Sequence, residues 1–370
     1  MNEKKASEYQ KKKLTIGTII NLFEIGLLCV IVFFGVNLVL NNLLLYMGIE
    51  FKYLRFVLYI IALALLHQVI LFPLFYLKGY RLEKSYGLSN QDFNEWLKDH
   101  LKGLLIGWII GILATLPVFY FMNRYPQGWW WRSAIFLWVA YVLLVKFAPR
   151  FLFTLFFKFK KLQNEELREK IMDLTEKAGL PITDAYEFDM SKKTKAANAG
   201  ITGLGSSRRL ILADTLLENY SEEEILVVVA HELGHHKHNH MGKIIVLNVI
   251  LLSFSMYVSQ QIVSWGVETL DLPGPGSVAA FPILLLVFAA GSFLFMPAGN
   301  SLLRHFERQA DRFALKLSRK PEAFISLMKK LAKENLADLH PHPAVEAIFM
   351  SHPAPGNRIQ AAESFRDHKD

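Results

Sequence analysis

The chain has 370 residues, of which 52% are hydrophobic, 13% aromatic and only 20% charged. A soluble domain carries about 25% charged residues, so this balance, with a mean hydropathy of +0.26, excludes an ordinary soluble protein. The lone cysteine, Cys29, excludes a disulfide scaffold. The net charge of +8 flanks apolar runs without alternating with aromatics, which excludes nucleic acid as a partner and points to a lipid bilayer.

Residues 25–49, 56–77, 103–123, 244–267 and 272–303 contain no Asp, Glu, Lys or Arg. Each reaches the length of about 20 residues that crosses a bilayer. A shorter run, 133–145, follows Trp129, Trp130 and Trp131, which read as an interfacial aromatic belt, and predicts a further span over about 130–150. The fold expected is mainly α, a polytopic membrane protein with about six transmembrane helices. Glu24, at the edge of the first run, reads as an interfacial or packing group, and His67 as a candidate lining residue. Gly103, Gly107 and Gly111 form a small-residue repeat suited to close helix packing.

Basic residues set the orientation. Lys4, Lys5, Lys11, Lys12 and Lys13 precede the first run, and Lys78, Arg81, Lys84, Lys98 and Lys102 fill the 78–102 loop. The 41–55 loop holds only Lys52 and Arg55, and 266–278 holds no basic residue. The positive-inside rule then places both termini and segment 151–242 in the cytoplasm. Four segments follow: 1–150 with spans one to four and the cytoplasmic loop 78–102, soluble 151–242, 243–299 with spans five and six, and soluble 300–370.

Within 151–242, a helical pattern runs from Asn164 to Gly179. Strand-like runs follow at Ala185–Met190 and Arg209–Ala213. A second helix starts at Ser221, where Ser221 and Glu224 have the spacing of a capping box and acids gather at the positive helix end.

That second helix carries His231-Glu232-Leu233-Gly234-His235. Two histidines four residues apart project from one helical face and can hold one metal ion, with Glu232 beside them. Zinc held this way acidifies a water, and an adjacent carboxylate takes the proton and passes it to a leaving amine. A catalytic zinc site needs a third protein ligand. Glu307 is the candidate, with Asp311 one turn on to accept the free N–H of a ligating histidine. His305 is a further candidate, although it points about 160° around the helix from Glu307.

Further motifs stand in the same order along the chain: Arg81-Leu-Glu83-Lys-Ser-Tyr86-Gly87-Leu-Ser-Asn90-Gln91, Asp189 to Lys193, Ala197-Asn198-Ala199-Gly200, the Arg304-x-x-Glu307-x-x-x-Asp311 box, and Ser351-His352-Pro353 with Arg358. From about residue 80 to 365, the sequence resembles the CAAX prenyl protease type 1 family of membrane-embedded zinc metallopeptidases. The resemblance implies a gluzincin domain with a small β-sheet, one Zn2+ per chain, and a peptide or protein substrate that is prenylated or membrane-embedded. It implies that Asn198 and Ala199 lie on the strand that pairs with an extended substrate. It also implies that His352 stabilises the tetrahedral oxyanion, with Arg358 in support. The extra span and long acidic insertion of the eukaryotic members have no counterpart here, and this short form resembles a bacterial one, in the inner membrane.

The expected function is therefore an integral-membrane zinc endopeptidase, engaged in CAAX-type C-terminal processing or in membrane-protein quality control. The alternatives are a transporter or channel with a metal-binding regulatory helix, and a protease-derived scaffold that does not cut.

Overall fold

The computed structural model describes residues 3–180, 182–203 and 208–367. Helices dominate, because long uncharged segments must satisfy every backbone polar group internally to enter a bilayer. The first half comprises α1 (Glu3–Phe33), α2 (Val36–Tyr46) and α3 (Lys52–Tyr76), which passes through a π-helical turn at Leu77–Arg81 into α4 (Leu82–Ser85). Helices α5 (Phe93–Arg124) and α6 (Trp129–Phe156) complete it. The soluble region continues with β1 (Phe159–Lys161), α7 (Glu165–Lys177), β2 (Asp184–Phe188), β3 (Ala199–Thr202), β4 (Arg209–Ala213), α8 (Asp214–Asn219) and α9 (Glu222–Lys237). Next come α10 (His240–Thr269), α11 (Phe281–Ser318), α12 (Pro321–Glu334), α13 (Pro343–Phe349) and α14 (Pro355–Asp367).

Among the described residues, six helical segments are long and apolar enough to cross a membrane: Glu3–Phe33, Lys52–Ser85, Phe93–Arg124, Trp129–Ala148, His240–Thr269 and Val278–Ser318. Their number agrees with the sequence reading, but several positions differ. The uncharged run 25–49 is not one span. The chain breaks at Gly35, which adopts a left-handed φ of 73° that a side chain would resist. The helix before it starts at Glu3, so Glu24 is not at a span's edge. It lies well inside α1, 3.2 Å from His67 Nε2 on α3. The 78–102 loop is also mostly helix, and the connection narrows to 86–92 between α4 and α5.

The segment boundaries at 150, 242 and 299 fall close to or inside helices. Helix α11 in particular runs unbroken from the apolar region into the soluble one. Gly103, Gly107 and Gly111 are not at a tight helix crossing, since among the described residues a Cβ on any of them would meet no atom of another element within 4 Å. Of the tryptophan triplet, Trp129 is fully buried, and Trp131 is the exposed one, under the Arg132 guanidinium at 4.1 Å.

The four strands lie in the order β1-β2-β4-β3. Strand β2 is parallel to β4, and β3 is antiparallel to β4 with Ala199 opposite Leu212, which leaves β3 at the sheet edge. A core containing Phe188, Leu210, Leu212, Val227, Leu233 and Phe324 joins sheet, α9 and α12. A separate core among the spans is built on Phe56, Phe119 and Phe281, with Phe56 and Phe119 stacked at 4.1 Å.

The predicted helix ends are found. Asn164 caps α7 by accepting from Leu167 N, and Gly179 closes it with φ of 67°. Pro181, next in line, lies outside the described residues. The Ser221 capping box is present on α9, with Ser221 N donating to Glu224 Oε2 at 2.8 Å. Glu224 also accepts from Ser326 and Lys330, both at 2.7 Å, which ties the start of α9 to α12.

Candidate active site

Helix α9 presents His231 and His235 from one face, and α11 lies across it with Glu307. The two helices approach closely because residue 234 is glycine. A Cβ there would sit 2.9 Å from Ala310 Cα and 3.1 Å from its carbonyl oxygen. His231, His235 and Glu307 form a group whose ligand atoms all lie within 4.8 Å of one another. His231 Nε2 and His235 Nε2 are 3.1 Å apart, and Glu307 oxygens stand 3.4 Å from each. Donors placed tetrahedrally at about 2.0–2.1 Å from zinc are separated by roughly 3.3–3.4 Å, so the two histidine nitrogens, each with its own oxygen of the Glu307 carboxylate, have the spacing of a metal's ligands. Glu307 Oε2 is buried without a hydrogen-bond partner, as suits an atom whose partner is a cation.

The histidine rings are held from behind. Asp311 Oδ1 stands 2.9 Å from His231 Nδ1, close enough to pair with the ring as an ion pair. Arg358 then donates to both oxygens of Asp311, Nε to Oδ2 at 2.8 Å and Nη2 to Oδ1 at 2.6 Å. Burial disfavours charge on both His231 and Arg358. Even so, the carboxylates of Asp311 and Glu307 beside it hold the His231 imidazole up at about 9, and attraction to Asp311 keeps Arg358 a cation. Glu232, between His231 and His235 in the chain, has its carboxyl pushed upward by burial, with the neighbouring histidines offsetting part of the effect.

His352 Nε2 lies 3.4 Å from Glu307 Oε1, while its Nδ1 faces Ser351 Oγ at 3.0 Å. The loop carrying it is held by Arg304, which is buried and donates to the carbonyls of Glu346 and Met350 at 2.8 and 2.6 Å. One cavity of about 150 Å³ is lined by Asn198, Ala199, His231, Glu232, Glu307, His352 and Arg358. His235 joins His231 and Glu307 beside this cavity, and Asp311 stands directly behind His231. His305 is not among them. It is exposed, and its Nε2 contacts Gln309 at 3.1 Å.

Residues 161–366 match the model of peptidase family M48, and residues 2–158 match the CAAX prenyl protease N-terminal region, described as five membrane helices. The chain belongs to peptidase family M48. Over 3–158 this M48 chain has four helices of spanning length plus the short apolar α2. A metalloprotease named YhfN from Bacillus subtilis is 34% identical over 323 residues, covering 85% of the chain and 75% of that protein. CAAX prenyl protease 1 of Saccharomyces cerevisiae is 28% identical, covering 83% and 72%, and the human CAAX prenyl protease 1 homolog is 25% identical, covering 78% and 69%. The crystal structure of S. mikatae Ste24p shares the fold, with a TM-score of 0.87 over 98% of the chain and 88% of its own at 22% identity. This M48 protein is an integral-membrane metalloprotease, which sets aside the transporter and channel alternative.

Three participants escaped the sequence reading. Gly234 was legible only as a glycine inside a helix, an exchange costing about 1 kcal/mol against alanine that a close helix approach offsets. Arg304 stood in the Arg304-x-x-Glu307-x-x-x-Asp311 box without a role assigned to it. His240 was given no role among the histidines that follow His235, yet it is buried, with its ring stacked on Phe306 at 4.3 Å.

Proposed function

We propose that this chain is a zinc endopeptidase with one Zn2+ per chain, held by His231, His235 and Glu307. The observation that carries the reading is the 3.1–3.4 Å spacing of His231 Nε2, His235 Nε2 and the two Glu307 oxygens, next to a cavity lined by Glu232 and His352. A zinc ion there supplies a Lewis acid that acidifies water and polarises a carbonyl. Glu232 acts as the base, taking the proton of the attacking water and returning it to the leaving amine. Its burial-raised affinity for a proton suits that exchange. His352 donates toward the oxygen on which negative charge develops. Arg358 supports the site through Asp311. Ala199, the first residue of β3, and Asn198 just before it offer a sheet edge to an extended substrate backbone.

The apolar wall of the cavity, including Val227, Val228, Phe324, Leu327 and Met328, suits an apolar side chain next to the scissile bond. In this reading 151–242 and 300–370 form one gluzincin unit on the spans, and both termini face the cytoplasm of a bacterial cell. Helix α10 begins only five residues after His235, which favours a peptide presented at the membrane face. A prenylated C-terminal tail of the CAAX type fits, as does the terminus of a misfolded membrane protein. Product mass spectrometry on a prenylated peptide and its unmodified twin tests the choice. Cleavage of the prenylated peptide alone supports CAAX-type processing, and equal cleavage supports quality control. A protein that retains zinc and cuts neither peptide supports the non-cleaving scaffold.

A further inference from the structure

The back of His231 is held by charged groups, whereas the back of His235 is held by a different set. Asn239 takes a left-handed φ of 51° between α9 and α10, a conformation that asparagine tolerates better than most residues. The chain there turns sharply and swings His240, the first residue of α10, back toward α9. His240 Nδ1 lies 3.0 Å from His235 Nδ1. His240 Nε2 lies 2.9 Å from Gln309 Oε1, and Gln309 Nε2 lies 3.1 Å from His305 Nε2.

Only one proton arrangement satisfies this chain if His235 gives its Nε2 lone pair to a metal. His235 Nδ1–H then donates to His240 Nδ1. His240 carries its proton on Nε2 and donates to the Gln309 carbonyl, and the Gln309 amide N–H donates to His305 Nε2. Each donor meets an acceptor, and His240 is uncharged throughout.

We infer that His240 and Gln309 are positioning residues for the metal, a neutral relay that fixes the tautomer and ring plane of His235. This rests on the reading that His235 is a metal ligand. Outer partners of this kind alter metal affinity by about 10–100-fold when removed. The relay is weaker in charge than Asp311 on the other ligand, so the two histidines differ in donor strength.

The test uses full-length protein in detergent and reads zinc affinity by chelator competition, together with the visible d–d spectrum of the cobalt-substituted form. His240→Phe keeps the stack on Phe306 but removes the acceptor, and zinc affinity should fall by about tenfold or more with an altered cobalt spectrum. Gln309→Leu should weaken zinc in the same direction, whereas Gln309→Glu, whose carboxylate accepts from His240 Nε2–H more strongly, should bind zinc at least as tightly as the wild type. In Gln309→Glu, exposed His305 can move its proton to Nε2 and meet the carboxylate. A purely structural role predicts the reverse order, because a new charge beside a buried ring is the worse packing change. Should His240→Phe fail to fold, the Gln309 pair decides alone.

The relay is overturned if all three variants bind zinc within about twofold of the wild type with unchanged cobalt spectra. His235→Ala is the control. If it too binds zinc at wild-type affinity, the metal-site reading fails and the relay with it. If His235→Ala alone loses zinc, only the relay fails.

Discussion

Arg358 closes its guanidinium on both oxygens of Asp311, at 2.8 and 2.6 Å, and the nearer oxygen also faces His231 Nδ1 at 2.9 Å. Helices α14, α11 and α9 therefore meet in one buried chain of charge that ends on a candidate metal ligand. Asp311→Asn keeps the shape and removes the charge, so zinc affinity should drop by about 10–100-fold in a chelator competition. Arg358→Lys loses the two-pronged contact while keeping the charge, and should fall between the wild type and Arg358→Ala. Wild-type affinity in Asp311→Asn would show that the carboxylate does not tune His231.

Zinc binding should weaken as pH falls. The His231 imidazole is held up at about 9 by Asp311 and Glu307, so below that pH a cation must displace a proton to reach Nε2. The sign follows directly: protonation competes with metal, and acid favours protonation. Affinity should fall by about tenfold per pH unit for each proton displaced, measured between about pH 8 and about pH 6 at fixed ionic strength. A flat profile would mean that His231 gives up no proton.

Gly234→Ala tests the helix crossing. Its Cβ would press on the backbone of Ala310, which cannot rotate away, so α11 must shift and carry Glu307 with it. A stability loss of about 1–3 kcal/mol is expected, with a larger proportional loss of zinc affinity than of folded protein. A variant with normal zinc binding would show that α11 can retreat without moving Glu307.

The local signals were the legible ones. The capping box at Ser221, the four-residue spacing of His231 and His235, and the one-turn offset of Glu307 and Asp311 all depend on helical periodicity, which a sequence displays directly. The first span was misplaced because a charge-counting rule stops at Glu24, whereas Glu24 is accommodated by His67 from another helix. That pairing joins residues 43 apart in sequence and leaves no local trace. The π-helical turn at Leu77–Arg81 hid in the same way, since basic residues that suggest a loop also decorate a helix that continues past the membrane. His240 was obscured by composition. Among five histidines in ten residues, the left-handed turn at Asn239 is what folds His240 back toward His235.

The most direct measurement pairs zinc content with peptide cleavage in Glu232→Gln. This exchange removes the proton acceptor beside His231 and His235 without removing a metal donor. One zinc per chain should remain, while cleavage falls by at least about 100-fold, the lower range for loss of a general base. Cleavage at the wild-type rate by a zinc-loaded Glu232→Gln protein would contradict the proposed role of Glu232.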